Sequence, residues 1–289
     1  MSYIIAISLA ALLGGSIATL VKLALPVFPT FFLLFIRYSV AGLSLLPLVI
    51  KSGELNLKSF RHLTLVGIMG AFNPMLLYIA LNFTQASVSP LIYAAVPILT
   101  AIYYFQVKKE KISRRTLQGI IIGLIGVGII ILLPLISRNR YQHLSLLGNL
   151  LIFAAALAFT VYGILSKKKS IEIKATPAAL TFYFSLYGWL LSLPFIGWEF
   201  VRGLIHFSQS TPLHWLSAVA TGLFGTTLFY LLYQYAVKIG GAMAASLFLY
   251  LQPIAGILLP AIILKETITL PFICGTILAI LGVALATRH

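Results

Sequence analysis

Ten predominantly apolar runs, each about the length a helix needs to cross a bilayer, dominate the chain: 3–23, 29–50, 62–83, 86–107, 115–136, 145–166, 176–198, 212–237, 241–264 and 269–287. A hydrocarbon core of roughly 30 Å takes about 20 residues of helix, and within it each backbone N–H and C=O must be paired inside the segment. The expectation is an all-α membrane protein of ten transmembrane helices. Only 9% of residues are charged, against about 25% in soluble domains, and the mean hydropathy is +1.06. The connections are too short to hold a soluble catalytic module.

The net charge of +15 would suggest a polyanion partner on a soluble surface. Here the basic residues cluster between apolar runs, as membrane loops do, so no nucleic acid is expected. With the N-terminus inside, fourteen Lys and Arg fall inside, five outside, and Arg37 within a span. That bias predicts cytoplasmic N- and C-termini. The opening "MSYIIAISLAALLGG" has no basic leader region and reads as a retained first span. The single cysteine, Cys274, excludes an internal disulfide and is expected to be a packed thiol.

The chain repeats itself. At an offset of 156, Pro97 meets Pro253, Lys109-Glu110 meets Lys265-Glu266, Gly119 meets Gly275, and Gly126 meets Gly282. Two copies of five spans follow, 3–136 and 145–287, and an odd number of spans turns the second copy upside down. Inverted repeats recur in secondary transporters, whose substrate sites lie near the midplane.

With its ten spans, its duplication and its paired Pro-Glu-Gly-Gly pattern, the whole chain resembles the drug/metabolite transporter superfamily, specifically bacterial carriers built from two EamA domains. "YIAL" at 78–81 and "QYAV" at 234–237 fit the same resemblance. It implies an inner-membrane exporter of amino acids or related metabolites, with two inverted five-helix repeats around a cavity lined by spans 1, 3, 4, 6, 8 and 9. Small four-span relatives that export cationic drugs depend on a first-span carboxylate. This chain has none there, which disfavours proton antiport through a buried acid and tight binding of a permanent cation.

Depth along the spans nominates a substrate site. Arg37 is the ionisable residue deepest in a span, where a cation costs at least about 2.5–3.5 kcal/mol. It is either a counter-charge for a substrate carboxylate or a cap for backbone carbonyls or a tyrosine. Ser16, Asn73, Tyr93, Thr160, Tyr162, Thr226, Tyr230, Tyr250 and Gln252 are the polar and aromatic candidates at mid-depth, able to hydrogen-bond amino or carboxyl groups and to stack on apolar ones. Ser and Thr also commonly bond their own helix. Pro97 and Pro253 should bend spans 4 and 9 and free a carbonyl each, which is tolerated at depth beside a cavity. Gly119 and Gly123, matched by Gly275 and Ala279, allow close helix approach, against spans 4 and 9 or between subunits.

Dispersed histidines, the lack of Asp and the absence of nucleotide-binding glycine loops leave no metal, cofactor or catalytic residue to nominate. The reading is a secondary transporter moving small metabolites, foremost amino acids, by alternating access. Alternatives are a carrier of phosphorylated or nucleotide-linked anions using Arg37, or a non-transporting scaffold. Oligomeric state is not encoded in any motif.

The basic cluster Lys108–Arg115, "KKEKISRR", aligns with "LKETITLP" at 264–271, so its surplus charge reads as an orientation signal, with anionic lipid as a further partner. Four basic residues added to the 264–271 loop should frustrate that orientation; unchanged activity of a C-terminal topology reporter would contradict it.

Overall fold

The computed structural model describes residues 3–108, 114–136, 142–246, 249 and 251–287. Its helices are α1 (Tyr3–Ala24), α2 (Thr30–Lys51), α3 (Leu57–His62), α4 (Thr64–Ala80), α5 (Val88–Tyr93), α6 (Ala95–Lys108), α7 (Arg114–Ile136), α8 (Gln142–Glu172), α9 (Pro177–Val201), α10 (Pro212–Gly222), α11 (Phe229–Ser246), α12 (Gln252–Ile263) and α13 (Leu270–Thr287). No strand occurs among the described residues. Seven helical segments are long and apolar enough to cross a membrane. Three shorter apolar helices, Thr64–Ala80, Gln252–Ile263 and Leu270–Gly282, fall on the remaining apolar runs. The protein is a multi-pass membrane protein.

The bundle is apolar outside, and several strongly polar side chains are enclosed within its largely apolar core. Leu43, Leu216, Ile262 and Leu270 are exposed, whereas Arg37, Asn73, Asn149, Thr226 and Gln234 are buried. That inversion suits a hydrocarbon surrounding, where apolar side chains need no cover and polar ones must find protein partners.

Two runs are interrupted. The run at 86–107 is split at Ala94 between α5 and α6, three residues before Pro97. Lacking an N–H, Pro97 cannot bond the carbonyl of Tyr93, and Pro253 likewise leaves that of Leu249 without its helical partner. Pro253 lies in the first turn of α12. The expected bends are thus full breaks, with each proline placed where a starting helix tolerates it. A further break comes at Gly241, whose φ of 85° departs from helix. Between α10 and α11 the backbone widens into a π-helical turn, Leu223–Leu228.

Carboxylates tie helix ends across the bundle. Glu199, near the end of α9, accepts from the N–H groups of Phe31 (2.9 Å) and Phe32 (2.8 Å) in the first turn of α2. Glu54, just past the end of α2, accepts from the N–H of Thr176 (2.9 Å) and from its hydroxyl. Thr176 in turn caps α9. Each helix of this pair is therefore capped by an acid attached to the other, where an anion meets unpaired N–H groups and the positive dipole end. Glu266 does the same for the segment leading into α5, accepting from Ala86 (2.7 Å) and Ser87 (2.9 Å). Its matched residue Glu110 and the segment Lys109–Ser113 of the basic cluster lie outside the described residues, as do Arg138 and Arg140.

The small residues of α7 and α13 pack against each other within the chain, and Gly123 also lies against Ile98 of α6, in span 4. A methyl group built on Gly282 would overlap the backbone of Gly123, and one on Gly126 would overlap Ala279 and lie 2.8 Å from the carbonyl oxygen of Gly275. Because Gly275, Ala279 and Gly282 form the packed edge of α13, Cys274 is turned outward and is exposed, contrary to the packed thiol expected. Gly282→Ala should force two backbones apart and cost at least about 1–3 kcal/mol, read as a lower thermal midpoint in detergent. Gly42→Ala, with nothing within 4 Å of the added carbon, should leave the midpoint unchanged or raise it.

Candidate functional site

A cavity of about 30 Å³ lies where the helix breaks converge, lined from α1 (Gly14, Ile17, Ala18), α2 (Arg37), α4 (Asn73, Pro74, Leu77), α5 (Ser89, Tyr93), α8 (Phe159), α11 (Phe229, Tyr230) and α12 (Gln252), with Leu249 just before it. That volume is about the share of one water molecule in the liquid, far below the roughly 300–1,000 Å³ of small-molecule sites. The site is therefore closed down in this conformation.

One wall is held by Arg37, only 1% exposed. Its Nε donates to Thr226 Oγ1 (2.7 Å), Nη1 to the Tyr78 hydroxyl (3.1 Å), and Nη2 to the Gly225 carbonyl (3.0 Å). The guanidinium carbon also sits 5.3 Å from the Tyr78 ring centroid, a cation–π distance. Gly225 and Thr226 belong to the π-helical turn, and a carbonyl's two lone pairs allow Gly225 to accept from a side chain. These contacts realise the capping role foreseen for Arg37. They occupy three of the five N–H groups of a guanidinium, and the side chain still forms part of the cavity wall.

A second polar group of the lining is built on Asn73. Its amide nitrogen donates to the Ala155 carbonyl (2.9 Å) and to the Tyr93 hydroxyl, while its oxygen accepts from Tyr230 (2.9 Å). A carbonyl only accepts, so Ala155 fixes which end of the amide is NH2. Tyr93, accepting from Asn73, keeps its own proton for a further acceptor, and Tyr230 uses its proton on Asn73. Tyr162 stands behind, with its ring centroid 5.6 Å from that of Tyr230. On α12, Gln252 is 9% exposed and its Oε1 has no hydrogen-bond partner among the described residues. A buried amide oxygen without a donor costs about 1–3 kcal/mol, and here it belongs to a cavity-lining side chain.

The structure thus brings Arg37, Asn73, Tyr93, Tyr230 and Gln252 to one cavity, with Thr226 one hydrogen bond behind it. Ser16 and Thr160 instead bond their own helices, at the carbonyls of Leu13 (2.8 Å) and Ala156 (2.9 Å). Tyr250 lies outside the described residues. Tyr78, Phe159, Phe229 and Leu249 were not singled out from sequence. The repeat contains a signal for one of them: Leu249 is the residue matching Tyr93 at the 156 offset, and both line the cavity.

Comparison with known proteins agrees with this architecture. The model of the EamA-like transporter family matches residues 1–132 and 146–288. The chain is 31% identical to the "Uncharacterized transporter YetK" of Bacillus subtilis over 90% of its own length and 79% of that protein's. It is 27% identical to an "Uncharacterized transporter" of Clostridium kluyveri, covering 87% and 81% of the two chains. A protein of known crystal structure, 19% identical, shares the fold with a TM-score of 0.68 over 99% of this chain and 98% of the other.

Tyr230→Phe leaves the buried Asn73 amide oxygen without its hydroxyl donor and should cost about 1–3 kcal/mol. Thr160→Val, which removes only a bond within one helix, should cost under about 1 kcal/mol. Thermal unfolding of the two variants in the same detergent compares them, and equal shifts would contradict the network.

Proposed function

Since the chain belongs to the EamA-like transporter family, and is with it a membrane transporter handling a small molecule in a lipid surrounding, we propose that it is a secondary carrier, an exporter of amino acids, working by alternating access. Ten spans in two inverted units, 3–136 and 145–287, with both termini cytoplasmic in the inner membrane, are part of the same proposal. Its support is the family match in two stretches, the 156-residue repeat, and the reciprocal capping of α2 and α9 by Glu199 and Glu54.

The observation that carries the reading is the presence of unlike chemistry in one small cavity. Arg37 and the Tyr93 hydroxyl present donors, while Gln252 Oε1 presents a buried acceptor without a partner among the described residues. A carboxylate suits the donors and an ammonium the acceptor. The tyrosine and phenylalanine rings of the same lining offer an apolar surface to a side chain. Carriage of phosphorylated or nucleotide-linked anions is less well supported, because Arg37 is the one cationic side chain in the described lining and such anions carry more than one charge.

Closure to about 30 Å³ means that a solute must enter through a more open conformation. The helix break at Ala94 places a flexing point next to Tyr93 of the cavity lining. Reconstituted in liposomes, the protein should show saturable amino acid flux, and Gln252→Ala should raise the half-saturating concentration roughly tenfold, the equivalent of about 1.4 kcal/mol. Absence of saturable flux for every amino acid, organic acid and sugar tried would end this reading.

A further inference from the structure

The charge of Arg37 is left unbalanced by the described protein around it. The chain has five glutamates and no aspartate. Four glutamates are described, and each is engaged elsewhere: Glu54 with Thr176, Glu199 with Phe31 and Phe32, Glu266 with Ala86 and Ser87, and Glu172 with Lys168 and Lys169. No carboxylate lies within 4 Å of Arg37 among the described residues. Its partners are a hydroxyl, a phenol and a carbonyl, all neutral. The described lining of the cavity contains no Asp, Glu or His that would add a countercharge or a titrating proton.

We infer that the empty carrier is biased by the membrane potential, with Arg37 as the fixed charge that feels it. The inference rests on the alternating-access reading of this same cavity. When the cavity opens to one face, water and ions bring that face's potential up to its wall. A fixed cation then has different energies in the two access states, without itself moving. For one elementary charge across the whole field, the difference is about fifty-fold in population per 100 mV, equivalent to roughly 2.3 kcal/mol. An inside-negative potential favours the inward-open state, because the cation then meets the negative bath. A solute with one net negative charge would cancel the bias, whereas a zwitterionic amino acid, with no net charge, leaves it in place; the voltage dependence of the unloaded carrier is measurable before the solute is identified.

The experiment uses right-side-out membrane vesicles carrying the full chain with Cys274→Ser and Ser89→Cys, since Ser89 lines the cavity. Labelling by an uncharged, membrane-impermeant sugar-linked maleimide is followed while valinomycin and potassium set the potential between 0 and −100 mV. The labelling rate should fall severalfold, up to about fifty-fold, as the interior becomes negative. Arg37→Lys should keep that slope and Arg37→Gln should remove it. Should the Gln variant fail to fold, Leu77→Glu, which adds a carboxylate to the same lining, should flatten the slope instead. A flat parent response, a slope that survives loss or neutralisation of the charge, or a cavity never labelled at any potential would each overturn the inference. If saturable liposome flux persists in those cases, the carrier reading stands and only the voltage bias is lost.

Discussion

A guanidinium enclosed in a bundle with an apolar exterior has to find its hydrogen bonds in protein, and much of the arrangement around the cavity follows from that demand. Arg37 lies eight residues into α2, beyond the comfortable reach of an aqueous surface along a helix. Its donors are met by Tyr78 on α4 and by Gly225 and Thr226 in the π-helical turn. One side chain therefore fixes three elements to one another. The wide turn is part of the solution, because it supplies both the Gly225 carbonyl and the Thr226 hydroxyl to one guanidinium. Among the described residues no carboxylate joins these bonds, leaving a hydrogen-bonded group with an unbalanced charge.

The cavity beside it depends on a second constraint, the loss of helical hydrogen bonds at prolines. Pro97 and Pro253 each stop the ladder where Tyr93 and Leu249 face the interior. Irregular backbone at membrane depth is tolerated only against protein or a polar space, so the breaks and the cavity belong together. Around them the bundle is braced by tighter contacts, the glycine-lined approach of α7 to α13 and the crossed caps of α2 and α9. Flexible elements sit at the centre and constrained ones at the flanks.

Much of this was legible in the sequence because depth in a bilayer is nearly a linear coordinate. Counting residues from each span end placed Arg37, Asn73, Tyr93, Tyr230 and Gln252 at the level of one another, and five side chains at one level in a narrow bundle meet. Counting does not give rotation about the helix axis. Ser16 and Thr160 share that level but turn to their own carbonyls, and Cys274 faces outward because the glycine edge of α13 occupies the inner side. Tyr78 escaped notice since it lies nearer the end of its span, and only the reach of an arginine brings it into the site. The π-helical turn had no sequence mark beyond a glycine and two threonines.

The crossed caps have a consequence for how the protein is made. The N–H groups that open α2 receive their acceptor from Glu199, 168 residues later in the chain for Phe31. At synthesis rates of about 5–20 residues per second, α2 spends on the order of ten to thirty seconds in the membrane before that acid exists. Through this interval the N–H groups of its first turn donate to water or lipid headgroups at the interface instead. The nascent first half is thus an open acceptor of the second, and the order of synthesis, as much as the final contacts, determines when α2 becomes fixed.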